Sequence, residues 1–371
     1  MLCDIQPQTI RLTGPDGSER LCASCHLLVG AAGVEFVPFD SSTATDADYA
    51  AIAAMRARMH AVDRVGSPLP APAATIELMT KQDAAALARR NFWLARDDSG
   101  CLVGFGMVSF PEQENPDTAF VFLEVDLGRR REGIGTAFLK AVLPAVQAAG
   151  RTRVMAMNVT TDGSGGERFA VALGAVCTLP GLMQTLEVPS VDRALWDVPA
   201  PDGYRLQSWS GAAPEELMAS YSVARNAIAD KPAQDSDWEE IEWTPERIRE
   251  DEASFAASGQ DYRIAIAVHE ATGEVAGFTE IVVRPSAPEL AQQIDTAVLK
   301  DHRGHGLGRA VKAEMMRRLM AERPEVEQVA TTTAADNSYM IAVNHSIGYT
   351  DARGLGHFGV SVDDLAARLG S

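Results

Sequence analysis

The order of hydrophobic and polar residues predicts a regular series of strands and helices from residue 34 onward. Residues 34–39 alternate between apolar and polar side chains, which is typical of a strand. Ile52, Met55 and Met59 recur at helical spacing. Asp46 precedes them and is a residue type that favours a helix start. The remaining predicted elements of this first series are helices at 82–90, 133–148 and 166–173, and strands at 91–97, 101–110, 118–127, 151–158, 175–179 and 182–188. We expect the last two strands to complete the sheet of this half.

The same order of elements begins again after residue 203. Its predicted helices lie at 214–229, 244–257, 306–322 and 338–346, and its predicted strands at 204–209, 262–269, 274–284, 291–300, 326–333, 349–353 and 356–361. The intervening segment contains three prolines, a composition typical of a linker. We therefore divide the chain into an N-terminal extension (1–33), a first unit (34–188), a linker (189–202) and a second unit (203–371). The predicted fold class is α/β, with two tandem units that each have a mixed, mostly antiparallel, twisted sheet flanked by helices.

A short glycine-rich loop occupies the same place in both series, between a predicted strand and a predicted helix. The first loop is Arg130-Arg-Glu-Gly-Ile-Gly135, and the second is Arg303-Gly-His-Gly-Leu-Gly308. Arg130 and Arg303 are 173 residues apart, and the later glycines Gly174 and Gly348 are 174 apart. This nearly constant offset indicates a duplicated fold.

Both loops have the chemistry of a phosphate-binding site. The first amides of a helix lack intrahelical acceptors and its dipole favours an anion, while glycines allow close backbone approach and arginine adds charged donors. Neither loop matches a P-loop or a dinucleotide fingerprint. Glycines at such a turn often serve structure alone, but their occurrence at two matched positions favours a pyrophosphate site.

With these loops, both halves resemble the GCN5-related N-acetyltransferase (GNAT) family across nearly all of residues 34–361. The tandem arrangement is similar to that of two-domain members such as mycothiol synthase. The resemblance implies acetyl-CoA as co-substrate, with the loop on its pyrophosphate, the preceding strand along its pantetheine arm, and a backbone amide near Val298 or Leu299 for the oxyanion. The implied CoA-binding residues of the second half are Val298, Leu299, Arg303, Gly304, His305, Gly306, Leu307, Gly308, Arg309 and Asn337.

The resemblance also implies catalytic positions, and one of them departs from the family. A tyrosine that protonates the leaving thiolate falls at Asn344 in this chain. Tyr339 and His345 are nearby substitutes, or the thiolate leaves without an acid. We predict Glu280, on the third strand, as the base for the acceptor amine. The alternative interpretation of Glu280 is a solvent-facing or salt-bridged strand carboxylate.

Asp295 and Thr296 are further candidates for the base position. As neighbours on one strand they face opposite sides, so at most one of them faces the cleft.

Comparison of the two halves favours the second as the catalytic one. Alignment on the late glycines and on the third strands sets Asn337 opposite Gly163, Tyr339 opposite Gly165, Asn344 opposite Ala170 and Glu280 opposite Met107. The first half therefore lacks these polar groups, and its candidate carboxylate is Glu124. We interpret the first half as structural and degenerate.

The net charge of the chain restricts the classes of molecule that it is expected to bind. The 371 residues carry a formal net charge of -18, which disfavours nucleic acid and anionic membranes and favours a cationic amine. The segment 235–243, with Trp238 and Trp243, either holds such an amine or simply anchors a loop. We expect no metal site and interpret Cys22-Ala-Ser-Cys-His26, a short haem-attachment pattern, as incidental. Without a secretion signal or a long apolar run, the protein is expected to be cytoplasmic, as a monomer or homodimer.

The resulting hypothesis is transfer of acetyl from acetyl-CoA to a primary amine of a small molecule. An amino sugar, an amino-acid-derived metabolite or an antibiotic fits this description. Two alternatives stay open: N-acetylation of a protein or peptide, and a non-catalytic pseudoenzyme that binds acyl-CoA.

Overall fold

The computed structural model describes residues 33–63, 69, 71–80, 89–230 and 239–370, together with the backbone of three short N-terminal strands. These strands are β1 (Arg11–Thr13), β2 (Glu19–Leu21) and β3 (Leu28–Gly30). β1 and β2 form an antiparallel pair. The extension thus contributes an antiparallel strand pair and a third strand, which pairs with β4. Cys22, Cys25, His26 and Trp238 lie outside the described residues.

The elements follow the predicted order in both halves, which confirms the α/β fold class. The first half contains β4 (Val34–Phe39), α1 (Asp46–Asp63), α2 (Pro72–Thr80), β5 (Arg89–Asp97), β6 (Leu102–Phe110), β7 (Thr118–Val125), α3 (Ile134–Ala148), β8 (Arg153–Thr160), α4 (Gly165–Ala172) and β9 (Val176–Glu187). The second half contains β10 (Tyr204–Ser210), α5 (Glu215–Asn226), α6 (Pro245–Ala257), β11 (Asp261–His269), β12 (Val275–Arg284), β13 (Ala287–Val298), α7 (Leu307–Glu322), β14 (Gln328–Ala334), α8 (Ser338–His345), β15 (Thr350–Ser361) and α9 (Val362–Leu369). Most of the helix predicted at 82–90 lies outside the described residues, and its last two residues belong to β5.

The strands of both halves join in one thirteen-stranded sheet. Its order is β10-β11-β12-β13-β14-β9-β15-β8-β7-β6-β5-β4-β3. Strand β9, from the first half, therefore lies between two strands of the second half. Strand β15, from the second half, lies between β9 and β8 of the first half. Our expectation that each half completes its own sheet is wrong, because the final strands are exchanged.

The exchange arises because each half ends in one long strand where two short strands were predicted. β9 pairs antiparallel with β14 over 181–187, and β15 pairs with β8 over 355–361. Pro180 and Gly181 stay in extended backbone within β9 and do not form a hairpin turn. Helix α9, which was not predicted, buries Val362, Leu365 and Leu369 in the core of the first half.

The proline-containing segment 189–202 packs against the second half. It includes a short 3-10 helix, Arg193–Trp196. The buried Trp196 indole N–H donates to the Ile347 carbonyl at 2.9 Å. The division of the chain into two units at this segment stays a prediction, since the sheet is continuous on both sides of it.

The halves also meet through reciprocal polar contacts between their strand turns and helices. The turn after β6 reaches the segment before α6, where the Asn115 amide donates to the Glu239 carbonyl at 3.1 Å. The turn after β12 reaches α2, where the Ser286 hydroxyl donates to Glu77 at 2.5 Å. Each half thus contacts the second helix of the other or the segment that precedes it. In the part of the chain described, no helix is long and apolar enough to cross a bilayer.

Candidate active site

A gap opens in the sheet where β13 and β14 separate. These parallel strands pair only at residues 290–292 and 328–330. Beyond that point β13 continues to Val298 and β14 to Ala334 without pairing to each other. We call the gap between 293–298 and 331–334 the second wedge. The first wedge lies between 121–125 of β7 and 156–160 of β8, which likewise pair over only three residues.

A β-bulge distinguishes the second wedge from the first. Thr279 is opposite Thr296, but Ile281 is opposite Gln293, so two residues of β13 oppose Glu280. β6 and β7 pair without any such shift. A bulge bends a strand and redirects its side chains, and it often occurs beside active sites. The extra residue places Asp295 at the bend.

The second loop forms an open cradle at the start of α7. Gly304 and Gly306 have φ of 87° and 77°, in the left-handed region that glycine tolerates. Gly306 caps the helix without a side-chain hydrogen bond, so the first amides of α7 face outward. Arg303 Nε donates to the Val298 carbonyl at 3.1 Å, and its Nη2 pairs with Asp230 at 3.1 Å. This arrangement can hold a diphosphate despite the acidic surface.

The first loop has the same geometry with one difference. Arg130 Nε donates to the Val125 carbonyl at 3.1 Å, and its guanidinium pairs with Asp63. The residue that matches Gly304 is Arg131, with φ of 71°. The loops alone therefore do not separate an active half from a degenerate one.

The backbone of β13 presents polar groups to the second wedge. The Leu299 N–H donates to the Ala276 carbonyl at 2.9 Å, which makes Gly277 and Val298 a non-hydrogen-bonded pair. The N–H and C=O of Val298 therefore point away from β12; the C=O accepts from Arg303, and the N–H faces the wedge. Of the two positions predicted for the oxyanion amide, the structure favours Val298, since the Leu299 amide is engaged.

The remaining predicted CoA residues surround the mouth of the wedge. Asn337 caps α8, where its Oδ1 accepts from the Met340 amide at 3.0 Å, and it is half-buried. His305 and Arg309 are exposed, whereas the Leu307 side chain packs in the core and offers only its backbone amide. Their contact with CoA stays a prediction.

The three positions considered for the acid differ in burial and in chemistry. Asn344 is 0% exposed, and its amide donates to Gln184 Oε1 at 2.7 Å. It therefore joins α8 to the exchanged strand β9, and an amide is no acid, so we correct its catalytic assignment. Tyr339 is 58% exposed on the first turn of α8. His345 is also exposed, 2.7 Å from Asp351.

Glu280 lies in a buried polar cluster and not on an open surface. It is 0% exposed and accepts from the Tyr262 hydroxyl at 2.8 Å and from the Tyr221 hydroxyl. Arg225 Nε lies 3.1 Å from its carboxylate, and Asp251 pairs with the same guanidinium at 3.4 Å. Burial raises the pKa of Glu280 to about 7, although Arg225 acts in the opposite direction. The salt-bridged alternative describes its surroundings, and Tyr221, Tyr262 and Arg225 already engage the carboxylate oxygens that an acceptor amine would need.

Asp295 and Thr296 face opposite sides of the sheet, as expected for strand neighbours. Thr296 Oγ1 lies 2.7 Å from Thr279 Oγ1 on the side of α7. Asp295 lies on the side of Glu280, and its charge contributes to the raised pKa of that group. Asp295 is half-buried at the bulge, which makes it the accessible carboxylate of this pair.

Sequence reasoning missed a second polar cluster at the closed end of the second wedge. The Tyr349 hydroxyl donates to Gln293 Oε1 at 2.7 Å, and Gln293 Nε2 donates to Thr279 Oγ1. Lys312 is 2% exposed, with its ammonium 5.6 Å from the centre of the Tyr349 ring. The helical spacing of α7 contained the signal, because Lys312 falls on the same buried stripe as Leu319.

The first wedge is apolar at every matched position. Register and the repeat offsets set Thr279, Gln293, Thr296, Lys312 and Tyr349 opposite Gly106, Val121, Leu123, Leu139 and Ala175. The side chains of Leu123 and Phe169 also occupy the first wedge beside its loop. A Cβ built on Gly135 would lie 3.1 Å from each of them. A Cβ on the corresponding Gly308 would meet, among the described residues outside its own helix, the side chains of Val298 and Val343 alone, each at 4.0 Å.

The aromatic residue that is described in the acidic segment serves as an anchor. Trp243 is 7% exposed, and the Arg225 guanidinium lies 3.3 Å from the centre of its ring. Its backbone N–H and C=O both bond to the Asn226 amide. This is the loop-anchoring alternative given above. Among the described residues, no group of three or more His, Cys, Asp or Glu side chains is placed to hold a metal ion.

Comparisons with known proteins agree with this geometry. The family model "Acetyltransferase (GNAT) family" matches residues 61–175 and 231–349, which is more than half of the chain. A tandem GNAT protein from the clavulanic acid biosynthesis pathway, solved without acetyl-CoA, is 27% identical with a TM-score of 0.74, over 89% of this chain and 98% of that one. A GCN5-related N-acetyltransferase from Sphaerobacter thermophilus is 15% identical with a TM-score of 0.65, over 88% and 96%. No curated protein matches the chain at a significant level. The chain therefore belongs to the GNAT family, as a tandem protein and an acyl-CoA-dependent N-acyltransferase.

Proposed function

We propose that the second half transfers an acetyl group from acetyl-CoA to a primary amine of a small molecule, in the second wedge. The contrast between the wedges carries this proposal: five matched positions are polar in the second and apolar in the first. Polar groups at a buried site are costly unless they serve structure or chemistry. The first half then acts as a scaffold.

The residues of the second wedge fit acetyl-CoA. Apart from its chain neighbours, no described residue has a heavy atom within 4 Å of a Cβ built on Gly304 or Gly306, so a diphosphate can approach the loop backbone. Val298 offers an amide to the pantetheine arm or the oxyanion. Asn344 Oδ1 is buried without a hydrogen-bond partner among the described residues, which leaves an acceptor for an amide of the arm.

In this proposal Asp295 takes the proton from the acceptor amine. Glu280 lies next to it on β12 and does not contact the amine. An ammonium is not nucleophilic, so the acceptor must lose a proton before it attacks the thioester. A base must reach that proton directly or through one water, and of the two facing carboxylates Asp295 is the half-buried one. Glu280 contributes charge and position through the cluster that it forms with Arg225.

The net charge of the protein and its similarity to another tandem GNAT protein support a small cationic amine as the acceptor. A net charge of -18 concentrates cationic amines around the protein and repels polyanions. The similar tandem protein takes its name from the clavulanic acid pathway, which concerns a small molecule. An amino sugar, an amino-acid-derived metabolite or an antibiotic amine therefore forms the first panel of acceptors.

Two arginine variants test which half is active. Arg303→Ala removes the guanidinium at the second loop, and Arg130→Ala makes the matched change at the first. We expect Arg303→Ala to weaken CoA binding by about tenfold or more, since a charge-assisted contact is worth ~1.5–3 kcal/mol. Arg130→Ala should leave CoA affinity within about twofold. Calorimetric titration with CoA measures both, and the reverse result assigns the site to the first half.

Thiol release from acetyl-CoA with the amine panel tests catalysis itself. Amine-dependent release by the unmodified protein supports the proposal. One observation favours a second candidate, an acyl-CoA-binding protein without turnover: the family's tyrosine position holds the buried Asn344. Tight CoA binding without release for any amine would support that candidate.

A further inference from the structure

Lys312 is a buried cation that the proposed function leaves without a role. It lies one helical turn after Gly308 on α7, about 6 Å further along the helix axis. Gly308 faces Val298 and Val343 across the wedge, so the next residue on this stripe faces its closed end. Lys312 lies there with 2% exposure, beside the ring of Tyr349.

The surroundings of Lys312 contain no counter-charge. No carboxylate among the described residues lies within salt-bridge distance, and burial is the single cause that lowers its pKa, to about 7. The titratable group that faces it is Tyr349, whose pKa burial raises, so this phenol stays neutral. A buried ammonium without an anion is costly, and its position at the closed end of the wedge proposed for acyl-CoA points to a transient anion.

The leaving thiolate of CoA is such an anion. We propose that Lys312 is the acid that protonates the CoA sulfur as the thioester breaks, in place of the family's tyrosine. This inference rests on the proposed function, because it requires acyl-CoA in the second wedge. It also explains why Lys312 occurs opposite Leu139, in a half that lacks the other polar residues of the wedge.

The step balances in atoms and charge. The amine nitrogen forms a bond to the thioester carbon, and the C–S bond breaks with its electron pair on sulfur. Lys312 gives one ammonium proton to that sulfur and becomes a neutral amine, while Asp295 takes the proton that the acceptor loses. Solvent then returns a proton to Lys312, and Asp295 releases one. An acid whose pKa is near the working pH makes this transfer efficient.

Two variants at this position test the proposal against a matched control. Lys312→Met keeps an unbranched side chain and removes the proton. Lys312→Arg keeps the charge but has no proton to give near neutral pH. We expect both to lower kcat by about 10²-fold or more, with KM for acetyl-CoA changed less than about threefold. Lys140→Met, an exposed lysine of the first half, should leave both constants unchanged.

The pH profile separates an acid from a packing residue. In the unmodified enzyme kcat should fall as pH rises above about 7, because Lys312 must be protonated. That limb should be absent from the residual activity of Lys312→Met. An unchanged profile, or an equal loss of CoA affinity and rate, overturns the proposal.

Ultraviolet absorbance of the CoA thiolate gives a readout that needs no acceptor. Bound CoA should ionise at lower pH in the unmodified protein than free CoA does, and this shift should vanish in Lys312→Met. If bound and free CoA ionise alike in the unmodified protein, the acid assignment fails even when every variant is unstable. If the shift is present but no amine is acetylated, the proposed function and the acid role in transfer both fail, and only an effect of Lys312 on the bound thiol remains.

Discussion

Glu280 and Asp295 lie opposite each other across β12 and β13, yet their surroundings give them different chemistry. Glu280 is enclosed by two phenols and Arg225, while Asp295 is half-buried at the bend of a bulge. Strand position alone made both residues candidates. The exposure of the two carboxylates depends on how α5 and α6 pack against the sheet. The local sequence pattern predicts these helices but does not determine their packing.

Replacing each carboxylate by its amide measures this difference. Asp295→Asn should lower kcat by about 10²–10³-fold with little change in KM for acetyl-CoA, because it removes the group in reach of the amine. Glu280→Gln should cost less than about tenfold. Steady-state thiol release checks both, and a larger loss for Glu280→Gln would restore Glu280 as the base.

Glu280→Gln also has a stability signature. The folded-state pKa of Glu280 is raised to about 7, so its contribution to stability is present below its unfolded value and is lost as pH rises through 7. The variant should therefore gain stability relative to the unmodified protein between about pH 5 and 8. Urea denaturation at several pH values measures this trend.

Asn344 shows how far sequence reasoning reaches for a single position. Its place in the family pattern was evident from Gly348, but its partner Gln184 comes from the other half of the chain. Lys312 could have been found from the buried stripe of α7. The absence of a described carboxylate beside Lys312 could not have been found in this way, because it depends on how β13, β15 and α7 pack.

At the level of elements, the glycine loop was predictable and the final strands were not. A left-handed turn before a helix leaves a local signature in Gly304 and Gly306. A hairpin and a continuous strand give the same alternating pattern over 175–188, so the pattern could not decide between them. The choice depends on β14 and β15, which are far away in sequence.

Gly306 and Gly133 occupy the same capping position and offer a matched test of the loops. Their φ values are 77° and 84°, so an alanine at either site is strained by about 1–2 kcal/mol. Gly306→Ala and Gly133→Ala should destabilise the protein equally. Only Gly306→Ala should also weaken CoA binding, because its Cβ would enter the diphosphate cradle. Denaturation and calorimetric titration check the pair; equal affinity for CoA in both would contradict the loop assignment.

For the whole molecule, the sheet order predicts that the two halves cannot separate. Both β9 and β15 are interior strands of the opposite half, and α9 packs in the core of the first half. Glu114 and Arg247 add an ion pair across the boundary. The sequence predicted the repeat, the family and the order of elements in each half. It did not predict the exchange of the final strands.

Cutting the backbone between the halves tests this arrangement. A protease site inserted beside Gly203, at an exposed turn, allows cleavage after folding. We expect the two fragments to co-elute on size-exclusion chromatography and to unfold in one transition, because each holds a central strand of the other's sheet. Elution as two folded fragments would show that the halves are independent.

The exchanged strands give the first half a reason to persist that does not depend on its chemistry. A half with an apolar wedge still has to place β9 between β14 and β15, because β14, one side of the second wedge, otherwise loses its neighbouring strand. Deleting the first half would therefore remove an interior strand from the sheet of the second. When the halves of a duplicated protein exchange strands in this way, each half can change what it binds. Neither half can be deleted, because the sheet of the other requires its strand.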